Sequence, residues 1–222
     1  MKRNFIKDEW LQMLILIAPF LIMALVWDQL PDRIPIRWNF RGHPKGYGPI
    51  YVLPLLNVGL AALLIWLAKI DPKARKMNLP STALKPIRLV ISVFFLAVFC
   101  LSVAPSLGWD IDSGMLIPRI LIPLLFLLIG NYLPAIKPNY FIGIRTPWTL
   151  ENPENWRLTH QFGGRLWMMA SVLFLILNFL FADGIWRGAF GVYLAVLILP
   201  PLVYSYVLFQ KSKHAAKDQP AA

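Results

Sequence analysis

Very few side chains in this sequence have the type and spacing that acid–base, nucleophilic or metal chemistry would require. The chain of 222 residues has three histidines, His43, His160 and His214, and one cysteine, Cys100. The sequence contains no H-E-x-x-H metal motif, no G-x-S-x-G nucleophile motif and no Walker phosphate loop. It therefore predicts no catalytic residue, no bound metal and no cofactor, and we expect a protein that is not an enzyme.

His160 is the strongest remaining candidate for acid–base chemistry. With Arg145 and Arg157 it could serve a membrane enzyme that acts on lipid head groups, an alternative that the residues leave open. No carboxylate or thiol is placed beside His160 to activate it, whereas Trp156 lies one helical turn before it. We favour a histidine that is packed against Trp156.

The elements that must position these residues are hydrophobic helices. Hydrophobic residues make up 58% of the chain, and nine tryptophans are present. Each long apolar stretch approaches the length of about 20 residues that a membrane-crossing helix needs. We predict an all-α integral membrane protein with six transmembrane helices, at Leu11–Trp27, Ile50–Ala68, Ile87–Ala104, Met115–Leu133, Leu166–Phe181 and Ala189–Phe209.

The positive charges predict the orientation of these helices. The net charge is +11, and most of the 22 Lys and Arg fall in the two tails and the alternate loops that six spans would place in the cytoplasm. Both termini are therefore predicted to be cytoplasmic. No small-x-small cleavage site follows the first apolar run, so we expect an uncleaved first helix. Contact with anionic membrane lipids explains the basicity, and no nucleic-acid partner is expected.

A transporter or small-molecule channel is the second alternative. Its pathway would run past polar residues inside the spans, Asn57, Asn131 and Asn178. Every Asp and Glu lies in a tail, in a loop or at the end of a span, although a proton-coupled carrier usually needs a carboxylate within the membrane. The three asparagines are better candidates for hydrogen bonds between helices.

The predicted outer loop, Asp28–Pro49, alternates apolar and polar residues and so favours a short extended segment. Pro35 suits an edge strand, and the glycines from Gly42 to Gly46 would turn the chain back. Either the apolar face caps the helix bundle, which we favour, or the surface receives an extracellular ligand. The candidate outer residues are Arg33, Arg37, Trp38, Asn39, Arg41 and Gly42.

The predicted inner loop, Pro134–Arg165, contains a second set of signals. Residues 139–143 are aromatic and β-prone, and Asn152 followed by Pro153 predicts the start of a helix. We expect this helix to lie at the membrane interface. Gly163-Gly164 would then mark either its bend into the membrane or a close contact between helices.

Residues 130–150, GNYLPAIKPNYFIGIRTPWTL, followed by ENPENWRLTHQFGGRLW, resemble the signature of the SdpI family of bacterial immunity proteins. The stretch LPDRIPIRWNFRGHPKGYGP resembles an uncharacterised N-terminal module that often precedes the SdpI module. Arg37 stands where that module usually has a histidine, so a protonation or metal role proposed for that histidine would be absent here. The implied division is an N-terminal module at 1–104, an SdpI-like module at 105–210 and a basic tail at 211–222.

This resemblance implies a function and its partners. Family members protect a bacterium from its own secreted antibacterial peptide toxin, and some hold a small ArsR-type autorepressor at the membrane once toxin is bound. The expected location is the bacterial plasma membrane, with several spans. The resemblance and the inner-loop residues together give candidate partner-binding positions at Asn131, Tyr132, Lys137, Asn139, Gly143, Arg145, Thr146, Trp148, Thr149, Trp156, Arg157, His160 and Gly163.

Overall fold

The computed structural model describes residues 5–38, 43–72, 84–180 and 186–217, so the candidates Asn39, Arg41 and Gly42 lie outside the described residues. Two strands accompany eight α-helices in this part of the chain. In order they are α1 Phe5–Leu25, β1 Arg33–Trp38, β2 Pro44–Pro49, α2 Val52–Ile70, α3 Leu84–Val103, α4 Ser113–Leu116, α5 Ile122–Tyr132, α6 Pro147–Glu151, α7 Pro153–Leu180 and α8 Trp186–Lys217. A π-helical turn, Ile117–Leu121, joins α4 to α5.

Within the described ranges, four helical segments are long and apolar enough to cross a membrane. They are Val52–Ile70, Leu84–Leu107, Gly114–Ala135 and Gly188–His214, and a shorter apolar helix covers Glu9–Leu25. This confirms a predominantly helical membrane protein. The six-span topology and its orientation stay predictions.

Helix α7 corrects the prediction of a separate interfacial helix before the fifth span. Asn152 caps it as predicted, since its Oδ1 accepts from the backbone N–H groups of Glu154 at 2.8 Å and Asn155 at 3.2 Å. The helix then continues without interruption for 28 residues, a length of about 42 Å at 1.5 Å per residue. The predicted bend at Gly163-Gly164 is therefore wrong, and the alternative of a close helix contact is correct for Gly164.

The described chain forms two compact units. Unit 1 contains Met1–Ile65 and Arg88–Leu125, and unit 2 contains Trp66–Ile87 and Phe126–Ala222. Residues 105–125 thus pack in unit 1 although they belong to the predicted SdpI-like sequence module. The module boundary at residue 104 stays a prediction about sequence, because packing follows a different division.

The two-stranded hairpin packs against the hydrophobic core of unit 1. Strands β1 and β2 are antiparallel, with Ile34 opposite Gly48 and an irregularity after Pro35. Ile34 is fully buried in the core of unit 1, and Ile36 and Trp38 pack against that core. This confirms the alternation read from the sequence and the interpretation in which the apolar face caps the helices.

Unit 2 is held together by aromatic packing and by one close helix crossing. Phe174, Tyr193 and Leu197 form its buried cluster, and Trp167 donates from Nε1 to the Leu197 carbonyl at 2.8 Å. A Cβ placed on Gly164 would lie 2.7 Å from the carbonyl oxygen of Gly130. The two glycines therefore let α5 and α7 approach at backbone distance.

We expect Gly164→Ala to destabilise the protein by about 1–3 kcal/mol, because the added methyl meets a backbone oxygen that cannot rotate away. Gly191→Ala is the matched control in α8, since a Cβ there would find nothing within 4 Å. This control should be neutral or stabilising by up to about 1 kcal/mol. Thermal unfolding in detergent micelles measures both, and equal melting temperatures would contradict the close crossing.

Candidate functional site

The motif loop, defined here as residues 133–152, is organised first by the buried side chain of Asn139. Its Oδ1 accepts from the N–H groups of Phe141 at 2.8 Å and Ile142 at 2.7 Å. Its Nδ2 donates to the carbonyls of Lys137 and Ile142, both at 2.9 Å. The β-prone reading of residues 139–143 is wrong, because one side chain takes the backbone groups that a neighbouring strand would have bonded.

The two threonines of the motif start the short helix α6. Thr146 Oγ1 accepts from the N–H of Thr149 at 3.2 Å, and Thr149 Oγ1 accepts from the N–H of Thr146 at 2.8 Å. This reciprocal pair is a capping box, with Pro147 in the first helical position. Both threonines are buried, so their role is to shape the loop.

His160 lies on α7, and its uncharged imidazole ring forms a hydrogen bond with the motif loop. The backbone N–H of Ile144 donates to Nε2 at 3.0 Å, and Nδ1 lies 2.8 Å from the carbonyl of Trp156. Because a backbone N–H can only donate, Nε2 must be the acceptor and Nδ1 must carry the proton. Burial lowers the pKa of His160 to about 4, so the ring is uncharged at neutral pH.

Trp156 and Gly143 complete this junction. The indole of Trp156 stacks on the His160 ring with centroids 4.1 Å apart, and its Nε1 donates to the Ile136 carbonyl at 2.8 Å. Gly143 has a φ of +118° and lies directly against both rings. A side chain there would meet His160 and adopt a backbone conformation that favours glycine.

Two further side chains fasten this region to α8. Trp148 donates from Nε1 to Ser205 Oγ at 2.8 Å and stacks on Phe209 with centroids 5.7 Å apart. Asn155 donates from Nδ2 to the Ser205 carbonyl at 2.9 Å. The same point on α8 therefore holds both the loop and the first turn of α7.

Asp71 is a participant that sequence reasoning missed. The sequence places every Asp and Glu in a tail, in a loop or at the end of a span, but Asp71 is only 2% exposed, and its Oδ2 accepts from the N–H of Tyr140 at 2.9 Å. Arg145 Nη1 donates to the Tyr140 carbonyl at 2.6 Å, so both backbone groups of this residue are bonded. The only sequence signal was a carboxylate at the end of a predicted helix, which by itself does not indicate burial.

Burial separates the predicted motif residues into three groups. Asn139, Thr146, Thr149, Trp156, His160 and Gly163 are buried, while Tyr132 and Trp148 are half-buried. The exposed residues are Asn131, Lys137, Gly143, Arg145 and Arg157. Glu154 pairs with Arg157 at 2.6 Å, which raises the pKa of Arg157 and lowers that of Glu154. Among the predicted positions, the exposed side chains are the ones available to a partner.

The described outer candidates, Arg33, Arg37 and Trp38, lie in unit 1. Arg33 and Trp38 line a cleft of about 440 Å³, together with Tyr47 of β2 and Asp112 before α4. Arg37 lies against Gly46 of the opposite strand and is not among the cleft residues. The structure therefore brings together two of the three outer candidates that it describes.

The comparisons with known proteins match both parts of the chain. Residues 135–205 match the model of the SdpI/YfhL protein family. This stretch of the chain is therefore similar to the SdpI family. Residues 14–66 match a domain of unknown function, DUF1648, which confirms the predicted N-terminal resemblance. Hereafter residues 135–205 are called the SdpI domain.

A curated relative matches over nearly the full length. The chain is 24% identical over 213 residues to the "Immunity protein SdpI" of Bacillus subtilis (strain 168). The match covers 95% of this chain and 98% of the relative. No solved structure matches the chain.

Substitution of Gly143 should destabilise the SdpI domain strongly. Gly143→Ala forces a strained backbone, worth about 1–3 kcal/mol, and also pushes the methyl against His160. Gly108→Ala is the matched control, because Gly108 has a φ of +81° with nothing within 4 Å of an added Cβ. Thermal unfolding should show a larger loss for Gly143→Ala. Equal losses would mean that the His160 contact contributes nothing.

The buried neutral His160 predicts a specific pH dependence of stability. Its pKa is about 4 in the folded protein against 6.5 as the ordinary value, so the unfolded chain binds the proton more readily. The stabilisation is present above pH 6.5 and is lost as the pH falls towards 4, by about 3 kcal/mol in total. Glutamine cannot titrate, so the stability of His160→Gln should not show this dependence on pH. Thermal unfolding measured across this pH range checks this. An unchanged slope would assign the effect to other groups.

Proposed function

We propose that this chain is an immunity protein of the bacterial plasma membrane, which protects the cell from a secreted antibacterial peptide toxin. The observation that carries the proposal is the similarity to the Bacillus subtilis immunity protein, which extends over 95% of this chain and 98% of the relative. Because the similarity covers both sequence modules, it favours retention of the relative's complete function over reuse of one fragment. In this proposal both termini are cytoplasmic and the helices span the membrane several times.

The chemistry of the motif loop supports a role without catalysis. Both ring nitrogens of His160 are engaged in hydrogen bonds, and the ring is buried. A general base needs a free nitrogen within reach of its substrate. In the described ranges no three metal-binding side chains come together. These features favour binding over the alternative of a lipid-directed enzyme.

In this proposal the toxin meets the outer hairpin and its cleft. Arg33 and Trp38 combine a cation with an aromatic surface, and Asp112 adds a carboxylate to the same cleft. Such a mixture suits an amphipathic peptide, because apolar side chains can pack while charged ends find partners. Ile34 and Ile36 of the hairpin pack on the core of unit 1, and the cleft is proposed as the surface that binds the toxin.

The motif loop is proposed as the cytoplasmic side of the same device, where an ArsR-type autorepressor would dock. Exposed Lys137 and Arg145 project from a loop whose backbone is held by Asn139 and His160. A surface that is ordered before binding loses little conformational entropy when a partner docks. This supports a preformed platform.

Membrane potential tests the proposed protection. Toxin-sensitive bacteria with and without the chain are treated with an SdpC-type peptide, while a voltage-sensitive dye reports the potential. We expect the potential to be preserved in expressing cells and to collapse in the others. Collapse in both, with the protein shown to be inserted, would reject immunity to this class of toxin.

The docking platform is tested by removing its exposed charges. Lys137→Ala with Arg145→Ala is compared with Lys211→Ala with Lys213→Ala, which removes the same charge from exposed positions on α8. Toxin-dependent recovery of the autorepressor in the membrane fraction should fall in the first variant alone. Equal recovery in both would reject the platform while leaving protection untouched.

A further inference from the structure

A polar cluster joins three helices inside unit 1 and belongs to no site described above. Gln12 of α1 donates from Nε2 to Ser92 Oγ of α3 at 2.7 Å. Asn57 of α2 donates from Nδ2 to the Ser92 carbonyl at 3.1 Å. Exposure is 5% for Gln12, 2% for Asn57 and 1% for Ser92. Two amide side chains from different helices therefore meet at one buried serine.

An ion pair lies on the same helix faces as this cluster. Arg88 is one turn before Ser92 on α3, and it pairs with Glu9, which is three residues before Gln12 on α1. The side chains of Arg88 and Glu9 are 10% and 15% exposed. Each partner of the ion pair therefore lies about one helical turn from the polar cluster, on the same helix as Ser92 or Gln12.

Three atoms of this cluster have no hydrogen-bond partner among the described residues. They are Gln12 Oε1, Asn57 Oδ1 and Arg88 Nε, and each is buried. An unpartnered buried polar atom is costly, and the cost is greater in a membrane, where bulk water does not reach. Turning the Gln12 amide end for end would exchange its free oxygen for a free nitrogen, so one polar atom stays unpaired in either orientation.

The hydrogen-bonding roles of the three atoms, as donor or acceptor, indicate which ligand they fit. Two are acceptors and one is a donor, and a water molecule can donate two hydrogen bonds while it accepts one. A cation would be repelled by the guanidinium of Arg88, and an anion would be repelled by the two amide oxygens. We propose that one water molecule binds between α1, α2 and α3 and bridges Gln12, Asn57 and Arg88.

This bound water connects the three helices through hydrogen bonds to a single molecule, which is called the polar joint below. It links α2 to Arg88 of α3, a connection that the direct bonds at Ser92 do not provide. The joint depends on all three partners, because the loss of one acceptor leaves the water with fewer bonds to its remaining neighbours. Removing Asn57 should therefore be detected at Gln12 and Arg88.

Water-edited solid-state NMR of the full chain in lipid vesicles tests the site directly. Magnetisation from water should reach Asn57 Nδ2, Gln12 Nε2 and Arg88 Nε several-fold faster than it reaches Asn155 Nδ2. Asn155 is the internal control, since it is 4% exposed and both its amide atoms are bonded, to the Ser205 carbonyl and to Thr159 Oγ1. Transfer to the cluster as slow as transfer to Asn155 would overturn the proposal.

A pair of variants tests whether a single water is shared. Asn57→Leu should slow the transfer to Gln12 Nε2 and Arg88 Nε, whereas Asn155→Leu should leave both rates unchanged. Unchanged transfer in a folded Asn57→Leu protein would overturn the bridging arrangement. If a variant fails to fold, the presence of water is still decided in the parent protein, by comparing the rate of magnetisation transfer to Asn57 with the rate to Asn155.

Discussion

The hydrogen bond from the Ile144 backbone to His160 Nε2 is the constraint on which the motif loop depends. It requires an uncharged ring, because a protonated imidazole would present a donor to a donor. It also requires glycine at position 143, where the chain passes against that ring. The geometry of the loop and the charge state of His160 on α7 therefore depend on each other.

This dependence explains why so many motif residues contact one another and not the solvent. Asn139, Thr146 and Thr149 satisfy the backbone of a loop that contains no regular sheet. Trp148 attaches the same loop to α8 through its hydrogen bond to Ser205. The buried positions of the motif therefore build the loop, and the exposed side chains at its edge, such as Lys137, are the ones that the proposed function assigns to partner binding.

The two units treat polar groups inside apolar surroundings differently. In unit 2 each amide atom of Asn155 has a protein partner, and Ser171 bonds to the hydroxyl of Tyr193 at 2.8 Å. In unit 1 the amides of Gln12 and Asn57 each leave an oxygen unpaired. A saturated network favours one rigid arrangement, whereas an unsaturated one requires a further hydrogen-bonding molecule.

The sequence by itself determined the features that depend on neighbouring residues. Alternation around Ile34 gave the strand, Asn152 with Pro153 gave the start of α7, and hydropathy gave the apolar helices, because each rule acts over a few residues. Tertiary structure alone decided the burial of Asp71, the tautomer of His160 and the pairing of Glu9 with Arg88. The physical reason is that those partners lie 69, 16 and 79 residues apart, so their contacts exist only after the helices have packed.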